Sequence, residues 1–133
     1  RRAAVLTPQG LVGQIAKVSE HQAQVLLMID PTSAVDARIE RTQARGLIVG
    51  KSVSIGLKRD LFMGTFEYLN RTSEVAVGDL VRTSGLDGVY PAGLSIGSVH
   101  EVKQNEYGIF REANLTPTVD FDKINEVLVV IQK

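Results

Sequence analysis

The chain has 133 residues, 44% of them hydrophobic, enough for one ordinary domain or two very small ones that share a packed core. It has no cysteine, which excludes a disulfide framework and a thiolate zinc site, and its 15 Lys and Arg balance 15 Asp and Glu, which leaves no global footprint for nucleic acid. No window approaches the roughly 18 consecutive apolar residues of a membrane span, so this stretch is expected to be soluble.

Short β-rich runs follow one another along the chain at 13–18, 24–29, 35–39, 46–49, 52–57, 66–69, 80–83, 96–102, 109–115 and 127–131. Glycine, proline or a polar pair separates most of them. About ten short strands with turn signals every 8–12 residues mark an all-β sandwich or barrel rather than a βαβ fold. Helix is scarce: the best candidate is a single turn after Asp120, whose carboxylate can cap the first amides.

The first 60 residues carry nine Lys or Arg against five Asp or Glu, a net of +4 that the remainder must balance with −4. The sign of the local charge changes at Lys58-Arg59-Asp60, where charges also interrupt the strands. We therefore expect one basic unit over 1–60 and one acidic unit over 61–133, too small to be stable apart and so sharing an interface. Such charge polarity, with exposed strand edges, predicts weak self-association. The basic positions Arg38, Arg41, Arg45, Lys51, Lys58 and Arg59 have no aromatic among them for base stacking and read as solvated strand faces.

Phe62, Phe66 and Tyr68 place three of the seven aromatics within seven residues, and alternation puts them on one face of an extended segment. The opposite face, Leu61, Met63 and Leu69, is apolar as well. A strand that is apolar on both faces is either sandwiched or carries a partner site. These three aromatics, with Tyr90 before Pro91, are the candidate partner-binding residues.

From Val77 to Val99 the punctuation is densest, with Gly78, Gly85, Gly88, Gly93, Gly97 and Pro91 between very short apolar pieces. Glycine reaches positive φ without steric cost and proline fixes φ, so the spacing describes tight turns between short strands, with Asp79 accepting backbone amides. Ser84, taken with His21 and Asp30 or Asp60, has the order of a chymotrypsin-like triad. Arg82 and Thr83 occupy the places where an oxyanion hole needs glycine, and the chain is short for two barrels with substrate loops. A minimal double-barrel serine hydrolase is the rival reading. His21 and His100 are expected at the surface, and two histidines without cysteine make no zinc site; no metal or cofactor is expected.

The run from Gly78 to Gly97 resembles the Gly-Asp-x-(Val/Leu)-x-Thr-Ser-Gly-Leu-x-Gly-x-(Phe/Tyr)-Pro-x-Gly-x-x-(Ile/Val)-Gly run of the rod-shape-determining MreC family. Gln24-Val25-Leu26-Leu27, Asp30-Pro31-Thr32-Ser33-Ala34-Val35, Arg38-Ile39-Glu40-Arg41 and Ala44 to Gly50 resemble that family's first half. Pro117 to Phe121, leading to Val127-Leu128-Val129-Val130, resembles its end. The ordered blocks cover about nine-tenths of the chain. The resemblance implies two small six-stranded antiparallel β-barrels side by side, with the last strand, 127–131, returning to the first. It also implies a non-catalytic scaffold that binds a class B penicillin-binding protein, organises lateral peptidoglycan synthesis with MreD, RodA and MreB, and uses no cofactor. By the same resemblance the chain lies in the periplasm, held to the inner membrane by a helix and a coiled coil upstream of Arg1.

Overall fold

The computed structural model describes residues 3–51, 63–68, 75–103, 111–121 and 123–131. Ten strands form among the described residues: β1 Ala3–Thr7, β2 Gly10–Val18, β3 Ala23–Leu27, β4 Ala34–Ile39, β5 Arg45–Lys51, β6 Met63–Tyr68, β7 Leu80–Thr83, β8 Ser95–Lys103, β9 Arg111–Pro117 and β10 Leu128–Ile131. No helix occurs among the described residues. After Asp120, where a helical turn was expected, the Lys123 N–H donates to the Asp120 carbonyl at 3.1 Å and closes a turn. Phe121 and Ile124 then pack on the neighbouring sheet, and burying them decides the path of this segment.

Six strands close a barrel in the order β4-β5-β6-β9-β8-β7, with every pairing antiparallel. Alternation builds its interior directly. Val35, Ala37 and Ile39 of β4 point inward and are fully buried, while Asp36 and Arg38 between them face out. Ile48, Phe66, Val81, Ile96, Val99, Ala113 and Leu115 complete the same core. Register shifts at Val81/Arg82 and Val99/Glu101 are bulges that add twist where a six-stranded barrel must curl sharply.

Beside the barrel lies a four-stranded antiparallel sheet in the order β10-β1-β2-β3. Ala4, Leu11 and Met28 join the barrel core, whereas Val5 and Val12 meet Val119, Ile15, Leu27, Phe121 and Ile124 on a second cluster. The sheet is thus sandwiched between the barrel and the segment that follows β9. Gly10 brings the sheet close to the barrel: its φ is +154°, and a Cβ there would collide with the Ser95 carbonyl of β8.

The all-β architecture in two β units agrees with the sequence reading, with two differences. The described residues hold one six-stranded closed barrel and one four-stranded sheet, and the run expected as a strand at 52–57 lies outside them. The barrel also takes β4 and β5 from before residue 60 and β6 to β9 from after it. The change of charge at Lys58-Arg59-Asp60, itself outside the described residues, therefore does not separate the strands into the two units. A charged interruption marks a connection, but which strands pair across it is a matter of long-range packing. The last strand pairs with the first, in the register Ala3 to Ile131 and Leu6 to Leu128. β1 itself was not among the expected strands, because Ala3-Ala4 has little β signal.

Candidate functional site

Of the four aromatics proposed as partner anchors, Phe62 and the side chain of Tyr68 lie outside the described residues. Phe66 and Tyr90 are buried in the barrel core, Tyr90 with only 1% of its surface exposed. Neither offers a face to a partner in this structure, which corrects their assignment as anchors. Phe66 fills the barrel from β6, whose neighbours β5 and β9 place Ile48 and Ala113 directly beside it. Burial pushes the Tyr90 hydroxyl up to about 12, the Asp87 charge adds to the rise, and the nearby Ser33 hydroxyl opposes it. Neither the Tyr90 nor the Ser33 hydroxyl makes a hydrogen bond of normal geometry.

The glycine-rich block is a set of interlocked turns. Gly78, Gly85, Gly88 and Gly93 have φ of +92°, +78°, +72° and +85°. Gly97 differs: it lies inside β8, where a Cβ would strike the Thr116 carbonyl of β9. Between these turns, buried Thr83 donates to the Pro91 carbonyl at 2.6 Å and accepts from the Leu94 N–H at 2.8 Å. Asp87 accepts from the amides of Val89 and Tyr90 and from that of Asp36 on β4. Asp79, 8% exposed, accepts from the Ala76 amide at 2.8 Å and forms a two-point ion pair with Arg41. The Arg41 hydrogen bond holds the Asp79 carboxyl below its ordinary range, against the opposing effect of burial.

Ser84 donates to the Asp36 carboxylate at 2.6 Å, and Asp36 is also the partner of Arg45 at 3.0 Å. Asp30 accepts from the Thr32 amide and hydroxyl in an Asx-turn. Two members of the triad order therefore have other work: Ser84 is tied to an aspartate rather than to His21, and Asp30 is closed on its own turn. No group of three His, Cys, Asp or Glu suited to a metal ion occurs among the described residues.

What remains open is the outer surface. Among the described residues β10 forms one edge of the sheet, and along it Leu128 is 61% and Ile131 58% exposed, with Val127 and Val129 also exposed. On the barrel wall Arg38, Arg45 and Arg82 lie side by side across three strands, with Leu47 and Leu80 exposed next to them. Sequence reading places Arg38 and Arg45 on solvated strand faces and does not include Arg82 with them. Arg38 and Arg45 lie seven apart, the spacing of a short hairpin, but nothing local brings Arg82 alongside.

A closed small barrel stands beside a four-stranded sheet, with structural turns where the rival reading places a nucleophile. The family model for "Rod shape-determining protein MreC, barrel core" matches residues 1–131, and the chain belongs to the MreC family. The MreC of Bacillus subtilis strain 168 is 34% identical over 110 residues, covering 80% of this chain and 37% of that protein. The crystal structure of MreC from Pseudomonas aeruginosa superposes with a TM-score of 0.83 at 27% identity, covering 97% of this chain and 78% of that one. The MreC solved in complex with penicillin-binding protein PBP2 from Helicobacter pylori shares the fold, with a TM-score of 0.68 at 22% identity over 87% of this chain and 67% of that one. The chain spans about a third of the length of curated relatives such as those of Bacillus subtilis and Escherichia coli.

Proposed function

We propose that this chain is the periplasmic β portion of a cell-shape scaffold that binds a class B penicillin-binding transpeptidase and thereby helps to organise lateral peptidoglycan synthesis. The observation that carries the proposal is the family match over nearly the whole chain, together with a fold relative whose MreC was captured on PBP2. Binding is the mechanism: a barrel held by interlocked turns supplies a rigid platform, and exposed apolar and arginine-bearing surfaces supply contact. In this reading MreD, RodA and MreB are reached through the wider complex, and an upstream helix anchors the protein to the inner membrane.

Self-association belongs to the same proposal and is supported by β10. Among the described residues it is an edge strand, Val127 to Ile131 contains no charge and no proline, and its side chains are open on both faces. Natural edges are usually blunted by such residues, so this one is suited to pairing with another chain.

The test is a binding titration of the immobilised chain with the periplasmic domain of the class B transpeptidase from the same organism. Saturable binding is expected, unchanged by Ser84→Ala. Absence of binding at micromolar transpeptidase removes the proposal, and ester or amide hydrolysis that disappears in Ser84→Ala revives the hydrolase reading.

A further inference from the structure

Arg38 lies directly opposite Arg45 on one side and Arg82 on the other, so three guanidinium-bearing side chains form one row across β5, β4 and β7. All three face outward, because the alternate positions Ala37, Ile39, Val81 and Thr83 are buried. Like charges set directly opposite on a sheet repel, so the row is not explained by sheet stability. Asp36 on β4 and Glu40 just after it, on either side of Arg38, answer only two of the three. Asp36 engages Arg45 at 3.0 Å, and Glu40 meets Arg82 at 3.5 Å.

The middle arginine has no carboxylate among the described residues. Its one hydrogen bond among the described residues is from a terminal nitrogen to the Gln43 side-chain oxygen at 3.1 Å. Gln43 is the single non-glycine residue with positive φ among the described residues, +63°. Its side-chain nitrogen in turn donates to the Glu40 carbonyl at 3.1 Å. A residue in a conformation glycine would adopt more easily therefore clamps the Arg38 guanidinium by one corner, and its other donors have no partner among the described residues. Strain of this kind is found where a group is being positioned.

Leu47, 44% exposed, follows Arg45 on β5, and Leu80, 48% exposed, precedes Arg82 on β7, so the two leucines flank the row from opposite sides. A desolvating apolar rim around an orientated arginine is the composition of a protein contact rather than of a freely solvated face.

We propose that the Arg45, Arg38 and Arg82 row is a docking site for an acidic segment of a partner protein with apolar residues beside its carboxylates, and that Arg38 takes one carboxylate through the paired donors that Gln43 leaves open. Gln43 is a positioning residue. The planar fork of arginine fits a carboxylate at two points, which a lysine cannot reproduce. The barrel is closed, so recognition here is by side chains and not by strand addition.

The test titrates the isotope-labelled chain, by nuclear magnetic resonance, with a blocked hexapeptide of alternating Leu and Glu. The controls are the same peptide with Gln for Glu, and phosphatidylglycerol vesicles. Shifts centred on residues 38, 45, 47, 80 and 82 are expected with the Glu peptide only, weakening as salt is raised. Arg38→Gln and Arg38→Lys are both expected to lose about tenfold or more in affinity while melting like the parent. Gln43→Gly relieves the backbone strain, so it is expected to melt no lower than the parent and yet bind the peptide several-fold more weakly. The proposal is overturned if no shift appears at this face at millimolar peptide, if the Gln peptide binds as well, or if Arg38→Gln leaves affinity unchanged. It is also overturned if vesicle binding alone depends on Arg38, since the face would then belong to a membrane surface.

Discussion

Arg41 and Asp79, 38 positions apart, form an ion pair through two hydrogen bonds of 2.8 and 3.0 Å, joining the turn after β4 to the turn that opens β7. The carboxylate is buried and the guanidinium about half exposed, so the pair is a clamp between two loops rather than a surface decoration.

Asp79→Ala is expected to cost about 1–3 kcal/mol, because it removes two charge-assisted hydrogen bonds and leaves the Ala76 amide without its acceptor. The pH dependence follows from the lowered carboxyl. A carboxylate held below its unfolded value of about 4 stabilises the fold fully above that pH. Its contribution is lost as pH falls through the lower folded-state value. Urea unfolding at neutral pH and at acid pH is expected to show a smaller difference in Asp79→Asn than in the parent.

Tyr90 gives the opposite sign. Its hydroxyl is buried without a hydrogen bond, so Tyr90→Phe is expected to be neutral or stabilising, whereas Tyr90→Ala is expected to cost about 3–5 kcal/mol through the cavity it leaves. The folded phenol holds its proton to about 12 while the unfolded one releases it near 10. Stability attributable to Tyr90 is complete below about pH 10 and declines as pH rises through that interval. Alkaline unfolding followed by the phenolate absorbance is expected to shift to higher pH in Tyr90→Phe.

Two glycines of the same block separate backbone freedom from space. At Gly85, φ is +78° and a Cβ would stand 2.7 Å from the Ala92 Cβ; at Gly88, φ is +72° and nothing lies within 4 Å. Gly85→Ala therefore adds a steric clash to the conformational cost of about 1 kcal/mol that Gly88→Ala bears alone. Calorimetry is expected to rank Gly85→Ala clearly below Gly88→Ala, and Gly88→Asn closest to the parent, since asparagine tolerates this region.

For the sheet edge, Leu128→Lys and Ile131→Lys place charges on exposed positions of β10 and are expected to reduce concentration-dependent self-association without lowering the melting temperature. Sedimentation velocity over a range of protein concentrations reads the first effect, and thermal denaturation the second. Equal association in the parent and in both variants assigns the contact elsewhere.

Turn chemistry and alternation were legible in the sequence because both are local. The glycines of 78–93 and the inward set Val35, Ala37 and Ile39 follow from rules that need only near neighbours. Pairing was not legible. Charge summed over 1–60 gave no sign that β4 and β5 close a barrel with strands beyond residue 62, and the Arg38 row exists only because β7 returns to β4. The aromatics misled for a physical reason: an apolar residue in a strand carries the same local signal whether its face meets a core or a partner, and Phe66 and Tyr90 meet a core. Ser84 looked available because its acceptor, Asp36, is 48 positions away.

The pairing of Ala3 with Ile131 sets how the molecule bears load. A pull applied between these two positions acts across the open end of the β1 and β10 ribbon. It parts the hydrogen bonds one rung at a time instead of shearing them together. The first structure to yield is thus this short seam, at low force. The closed barrel, whose strands all lie between the two points of attachment but outside that seam, carries no tension until the ribbon has opened.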